Sequence, residues 1–585
     1  HSGIQIGYQR GNANRLLFRF LRQTKQEWLL ASVDGGGLRN AIPREATAVL
    51  LVKNAAEFAA EVAAYEKCVI AEFKDIEDSI SIFAEGCPMP AEVIPSAVAE
   101  AFSKAVIGAP DGVVRMSVAM EGLVQTSNNL ARVVSDGKQC VATDNNGHYT
   151  LKSDMESTRF VFISIPDGYQ IPHRKSVIQN FRRIPRYAKG ATANFTLAKR
   201  TTPTDKYTVI MIGDPQMRGL GIDGSGERYR DVVLPDIEQY KKTTSGEFFA
   251  INLGDLVYNW MAGYDDYMDI SSTMSYPVCH VIGNHDYDQA NILEGKLGTP
   301  FFEEYVSPTY YSFTIGKVHY VMVNSIEYSR EDAKKHYKSG LDDEQMKWLE
   351  EDLKYVPKDH TIFICGHANL FKKPGTSPNG SYGKYNVNYE RYKALLLPYK
   401  RIYSWSGHYP TNYGFDYAGK ANYEDMQHIS SITAARCIGT LRSNMEIDNS
   451  GIPNGYMVVE VDGDNFEWWY KSVGHDRSHQ MRAYSPTRTG DGYVKVNVWN
   501  YTAGYWGDVE WWENGQKVGT FDQFAEADPD YLLMHATRLT HLKGTAAKYA
   551  KPDKSQYMFR IKPSDGVRSG EIRVTDSFGK TYTEK

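Results

Sequence analysis

The chain has 585 residues, 42% hydrophobic and 23% charged, which excludes disorder over most of its length and suggests three or four domains. Its 66 Lys and Arg against 71 Asp and Glu leave a net charge of −5, which argues against a broadly basic nucleic-acid-binding face. No apolar run nears the ~20 residues needed to cross a bilayer, and six cysteines with no CxxC pair exclude a disulfide scaffold or a cysteine-based zinc site.

Residues 1–132 carry helix-period segments rich in Ala and Glu, and 54–75 is the longest, predicted as an amphipathic helix. From 133 to 200 the pattern changes to short alternating strands with polar turns, among them 144–147 leading into 148–151, and the run 160–165. A polar, Pro-containing stretch at 197–206 reads as a linker. Between 207 and 425 short apolar runs alternate with helical segments. After 450 the chain returns to aromatic strands, with 493–498 as a strand, 509–518 as a hairpin turning at Asn514-Gly515, and 570–583 turning at 576–579. Cys279 and Cys365 lie inside apolar runs and read as buried strand residues, which leaves the compartment open. The chain opens at His1 without a signal peptide, so an upstream targeting segment is unobservable rather than absent.

The region 207–425 has a regular habit: an apolar strand ends and a metal-capable side chain follows. Asp214 and Gln216 follow 207–213, Asp255 follows 248–254, and Asn284-His285-Asp286 follows 278–283. His367 follows 361–366 and His408 follows 402–407. If those strands lie side by side, the five tips converge on one crevice, where open α/β sheets place their sites. Carboxylate and amide oxygens with neutral imidazoles suit Mn, Fe, Zn or Mg. A carboxylate such as Asp255 can bridge two cations ~3.5–4 Å apart, which lower the pKa of a shared water and neutralise a leaving oxygen. Glycine stands immediately before Asp214, Asp255, Asn284, His367 and His408, as a tight strand-to-loop turn requires. The remaining histidines, including His280 and His319, read as structural or surface residues.

These motifs resemble the calcineurin-like metallophosphoesterases. The resemblance implies an α/β fold, a two-sheet sandwich flanked by helices, and a dinuclear divalent metal centre that hydrolyses phosphate esters by attack of a metal-bound hydroxide. Carried over by position, Asp214 and Gln216 bind the first metal and Asp255 bridges. Asn284, His367 and His408 bind the second, and His285 contacts the phosphate and protonates the leaving group, oriented by Asp286. Two departures fall on the first ion: Gln216 stands where the pattern has His, and Pro410 replaces the last His of Gly407-His408-Tyr409-Pro410. The first site is therefore expected to be weak, or assisted by Tyr258, which sits where purple acid phosphatases keep a metal-binding tyrosine. A packing role for Tyr258 is the alternative.

The stretch 143–151 resembles the turn of small transthyretin-like sandwiches that precede the catalytic region in a group of bacterial phosphoesterases, and 450–585 has the texture of the β-domain that follows it. The expected domains are 133–200, an incomplete transthyretin-like sandwich, then 207–425, catalytic, and 450–585, a C-terminal β-domain. Residues 1–132 are similar to an internal piece of the zinc aminoacyl-histidine dipeptidases, carried by His1-Ser2-Gly3, 11–14, the long run 36–46, and 121–130. The zinc-binding portions of that family lie outside this piece, so the fragment is read as non-catalytic. The chain is then chimeric, joined near Arg132, and 1–200 is expected to be its least well-packed part, with an exposed sheet edge.

The sequence thus points to hydrolysis of a phosphomonoester or phosphodiester, with a phosphorylated substrate of open class. The loop 371–392 is a candidate frame for an anion. The alternatives are a weakened relative that binds a phosphorylated ligand through one ion, and a cell-surface glycan binder using the C-terminal tryptophans. Relatives of this kind are often exported to the periplasm or cell surface.

Overall fold

The computed structural model describes residues 10–36, 41–77, 79–90, 92–109, 111–116, 124–135, 140–143, 149–150, 159–184, 192–293, 297–328, 337–371, 386–420, 423–440, 444–567 and 569–585. His1 and most of the loop 371–392 lie outside them, as do much of 36–46 and of 143–151. The chain divides into two compact units, 1–159 with 184–191, and 160–183 with 192–585.

In the first unit the helix Ala55–Glu72 begins where the periodicity places it, with Asn54 as N-cap accepting a hydrogen bond from the Glu57 N–H at 3.2 Å. Phe58, Val62, Tyr65 and Val69, at three- and four-residue spacing, form its buried stripe. They pack with Phe18, Phe20 and Leu21 of the helix Ala13–Gln23 and with Phe102 and Val106 of the helix Ser96–Gly108. A five-stranded sheet completes the unit, and its pairing runs through the expected junction at 132. Strand Trp28–Gly35 pairs antiparallel with Arg132–Ser135, matching Val33 to Ser135 and Gly35 to Val133. The edge expected to lie open at 133 is thus covered by the leading segment, and this unit has a core of its own.

The second unit is built on two packed sheets. One orders the strands Asn465–Ser472, Gly455–Asp462, Lys206–Ile212, Glu247–Asn252, Val278–His280, Val177–Ile178 and His173–Arg174. The other orders Tyr311–Ile315, Val318–Met322, Thr361–Cys365, Arg401–Ser406, Ile429–Thr433 and Tyr413–Asp416. Between them lies a continuous apolar layer that includes Val209, Phe249, Ile251, Tyr320, Phe363 and Trp405. Strands such as Glu247–Asn252 and Thr361–Cys365 are apolar on both faces because helices cover the outer sides, as parallel strands require.

Two sets of pairings cross the expected boundaries. Strands 173–178 extend the first sheet and Ile165 bridges to Phe313, so 160–183 packs with the catalytic core. Strands 455–472 also lie in that sheet, because Met457, Val459 and Val461 fill its interior face. A further β-structure runs on from 482. It packs the sheet of Arg482–Tyr484, Val494–Asn497, Ser555–Ile561 and Asp522–Glu526 against that of Gln516–Thr520, Glu510–Glu513, Glu571–Thr575 and Thr581–Glu584. Its hairpin turns at Asn514-Gly515, both with positive φ, as a two-residue turn between right-twisted strands demands.

Trp469, Trp499, Trp506 and Trp511 are buried, and Trp512 lies under the Arg573 guanidinium at 3.9 Å. The first four are core residues and leave no exposed face for a glycan, whereas Trp512 is half-buried.

Candidate metal centre

The five strand tips meet, but from two sheets rather than one. Strands Lys206–Ile212, Glu247–Asn252 and Val278–His280 are parallel neighbours in the first sheet, and Thr361–Cys365 and Arg401–Ser406 in the second. Their C-terminal ends bring Asp214, Asp255 and Asn284 opposite His367 and His408.

His367 Nε2 is the hub. It lies 3.2 Å from Asp255 Oδ1, 3.2 Å from Asn284 Oδ1 and 3.1 Å from His408 Nδ1. On its far side Nδ1–H donates to the Leu253 carbonyl at 2.8 Å, which fixes the tautomer and turns the Nε2 lone pair toward the cluster. His408 is held similarly: its Nε2 lies 3.0 Å from the Tyr337 hydroxyl, leaving Nδ1 to face inward. Ligand atoms of Asp255, His367 and His408 all lie within 4.8 Å of one another. Four donor groups gathered around one point, with their outward atoms already committed, fit a cation.

Asp214 and Gln216 stand beside this group. Gln216 Nε2 donates to Asp255 Oδ2 at 2.9 Å, and Asp214 Oδ1 accepts the His408 backbone N–H at 2.9 Å. Asp214 Oδ2 and Gln216 Oε1 are buried and have no hydrogen-bond partner. Such oxygens are costly to bury unless a cation meets them, so these two also fit a metal.

Glycine is required here for close approach. A Cβ on Gly283 would come within 2.2 Å of the Asp255 N and Oδ1, and one on Gly407 within 2.4 Å of Asp214 Oδ1. The backbone is strained as well: Asp214, Gln216, Asp255, Asn259 and His408 all have positive φ, five of the eight non-glycine residues of that kind among the described residues. Strain concentrated in this way marks functional sites.

The charges are strongly coupled. Burial pushes the Asp214 carboxyl up to about 7, with His367 opposing and Asp255 adding to the rise. For Asp255 burial opposes ionisation, but His367, His285 and His408 together hold its carboxyl far below the usual range. Burial disfavours the His367 imidazolium, yet Asp255 and Asp214 raise it to about 9. Burial and the His367 charge push His408 down to about 3, so its ring is neutral.

His285 sits at the rim, partly exposed. Its backbone N–H donates to Asp255 Oδ1 at 2.8 Å, and its Nε2 lies 4.0 Å from Asp255 Oδ2. Its Nδ1 is 3.0 Å from Asn259 Oδ1, and its ring stacks on Tyr258 with centroids 4.2 Å apart. Asp286 is buried and spends its carboxylate on backbone amides, Val257 N–H at 3.1 Å and Gly283 N–H at 2.8 Å. It shapes the turn that carries His285, whereas Asn259 is the side chain on the imidazole. Burial, with the charge of Asp255, pushes Asp286 up to about 8. Asn259 and Tyr337 escaped the sequence reading. Asn259 lies four residues beyond Asp255 with no motif around it, and Tyr337 comes from a strand outside the five.

Family models match in tandem. The N-terminal part of calcineurin-like phosphoesterases matches 119–200, the calcineurin-like phosphoesterase core 207–412, and the C-terminal part 443–582. Over 119–582 the chain belongs to the calcineurin-like phosphoesterases. Its architecture is that of the phosphoesterase fold, with several β-sheet regions around the sandwich. A purple acid phosphatase from yellow lupin (Lupinus luteus) seeds is similar at 13% identity and a TM-score of 0.32, covering 60% of this chain and 58% of that one.

A further segment is similar to dipeptidases. The cytosol non-specific dipeptidase of Escherichia coli (strain K12) is 32% identical over 176 residues, 29% of this chain and 34% of that protein, so the chain spans about a third of the relative's length. The aminoacylhistidine dipeptidase from Vibrio alginolyticus is 35% identical over 23% of this chain and 28% of its own, with a TM-score of 0.22. The phosphoesterase family implies divalent ions, and among the described residues Asp255, His367 and His408 form a group that can hold one.

Proposed function

We propose that the chain is a metal-dependent hydrolase of phosphomonoesters or phosphodiesters, with Asp214, Gln216, Asp255, Asn284, His367 and His408 as metal ligands. The observation that carries this reading is the convergence of Asp255, Asn284 and His408 within 3.2 Å of His367 Nε2. Divalent ions bound there supply charge for the phosphate and acidify water. The protein's own groups do the rest. Asn259 holds His285 through Nδ1, which leaves Nε2 at the rim to pass a proton to the departing alkoxide. Asp286 fixes the turn beneath it, and Tyr258 supports the ring face.

The two ion positions differ in chemistry. One is offered imidazole nitrogens by His367 and His408 and suits Zn, Fe or Mn. The other is offered oxygens, by Asp214 and Gln216 with Asp255, and suits a harder, more weakly held ion such as Mg or Mn. Pro410 adds no side-chain donor to it.

Hydrolysis of p-nitrophenyl phosphate and of its bis-ester, with Mn, Zn, Mg or Fe added in turn, tests the reading. Metal-stimulated turnover that disappears in Asp255→Asn supports it. Absence of turnover of both esters with every metal refutes it, and phosphate binding without turnover would favour the ligand-binding alternative.

A further inference from the structure

Three adjacent parallel strands deliver Asp214, Asp255 and Asn284 to the centre, and each connection that follows carries an exposed apolar side chain, the third at the end of the helix Gln289–Leu293. Ile222 is 48% exposed, Trp260 45% and Leu293 44%, with Leu297 at 53% on the third loop. Among the described residues from 207 to 440, the only other exposed large apolar residue is Tyr355, on the loop after the helix Asp343–Leu353. Exposed apolar residues in this catalytic region are thus concentrated on the loops that leave the metal-bearing strand ends.

These loops are tied together. The Leu220 N–H donates to Asp266 Oδ2 at 2.8 Å, fastening the Ile222 loop to the helix Gly263–Ser271 that Trp260 precedes. The Trp260 carbonyl accepts the Gly263 N–H at 2.9 Å, and the Asn259 N–H donates to the His285 carbonyl at 3.0 Å. Tyr258, Asn259 and Trp260 are consecutive: the first stacks on His285, the second holds its Nδ1, and the third, next in the chain, is exposed. An alcohol leaving toward His285 departs toward the segment that carries Trp260. Exposed apolar side chains on the connections that leave a phosphate-binding centre are complementary to a ligand that is anionic at one end and apolar at the other.

We infer that Trp260, with Ile222 and Leu293, forms the leaving-group wall of the site, and that the preferred substrates are phosphate esters of apolar alcohols, alkyl or aryl, rather than of sugars or nucleosides. This rests on the phosphoesterase reading above.

The test compares ethyl, butyl and hexyl phosphate with glucose 6-phosphate and AMP on the metal-loaded full chain, alongside calorimetric binding of ethyl- and hexylphosphonate. A fully buried methylene is worth about fourfold, so a half-exposed rim should give about twofold per methylene, and kcat/KM should rise at least tenfold from ethyl to hexyl phosphate. Trp260→Ala should abolish most of that rise while leaving ethyl phosphate within about threefold. Trp260→Phe should keep most of it, and Ile222→Ser should reduce it should Trp260→Ala fail to fold. Flat chain-length dependence in both turnover and phosphonate binding, or a preference for glucose 6-phosphate or AMP, overturns the inference while leaving the hydrolase reading standing. Hexylphosphonate binding more tightly than ethylphosphonate without turnover of any ester would support the rim and refute the hydrolase. Absence of both binding and turnover refutes both.

Discussion

Asn259 Oδ1 lies 3.0 Å from His285 Nδ1, and Asn259 reaches this position with a φ of 51°. A left-handed residue held in place to orient one imidazole commits His285 to presenting Nε2 at the rim. Asn259→Ala should therefore lower kcat by about 10- to 100-fold for alkyl phosphates, whose alkoxide needs a proton. The loss should be much smaller for p-nitrophenyl phosphate, whose phenolate leaves unaided. Equal losses on both substrates would show that Asn259 serves the fold and not the proton.

Metal binding should release protons. Without ions Asp214 is protonated below about 7 and His367 below about 9, whereas ligation requires both deprotonated. Apparent affinity should accordingly rise with pH through the window from 7 to 9 and fall below it. His408, lowered to about 3, adds no competition above pH 5. Calorimetry of Mn binding in buffers of different ionisation enthalpy measures the released protons directly, and a pH-independent affinity would contradict the coupling.

Zinc titration of the metal-free protein should show one tight and one weak event, because the Asp214–Gln216 position lacks an imidazole. Pro410→His should strengthen the weak event by tenfold or more and leave the tight one unchanged. Two equally tight ions in the wild-type chain would show that oxygens alone suffice there.

Gly283→Ala forces a methyl to within 2.2 Å of Asp255. Overpacking of this kind costs about 1–3 kcal/mol, and here it displaces the carboxylate at the centre, so stability and metal affinity should fall together. Thermal melts with and without Mn check this: the variant should lose most of the melting-temperature rise that the ion gives the wild type.

Much of the site was legible because its signals are local. The ligands follow apolar strands within a few residues, and Gly283-Asn284-His285-Asp286 combines a close-approach glycine with three polar side chains. The hairpin at Asn514-Gly515 and the helix capped by Asn54 were legible for the same reason. What stayed hidden is non-local. The pairing of Val33 with Ser135 spans a hundred residues, and alternation alone does not show which strand will flank which. The aromatic alternation of the C-terminal region fits an exposed platform as well as a buried layer, and only the shared core that buries Trp511 with Phe521 decides for the layer at that position. Asn259 carries no motif, since its role comes from a backbone angle and from a histidine 26 residues away.

Anomalous scattering from Mn-soaked crystals tests the metal centre most directly. The predicted result is a strong peak within coordinating distance of Asp255, Asn284, His367 and His408, with a second, weaker one beside Asp214 and Gln216. A Mn-saturated crystal with no peak at His367 Nε2, or with its ions bound elsewhere, would contradict the account.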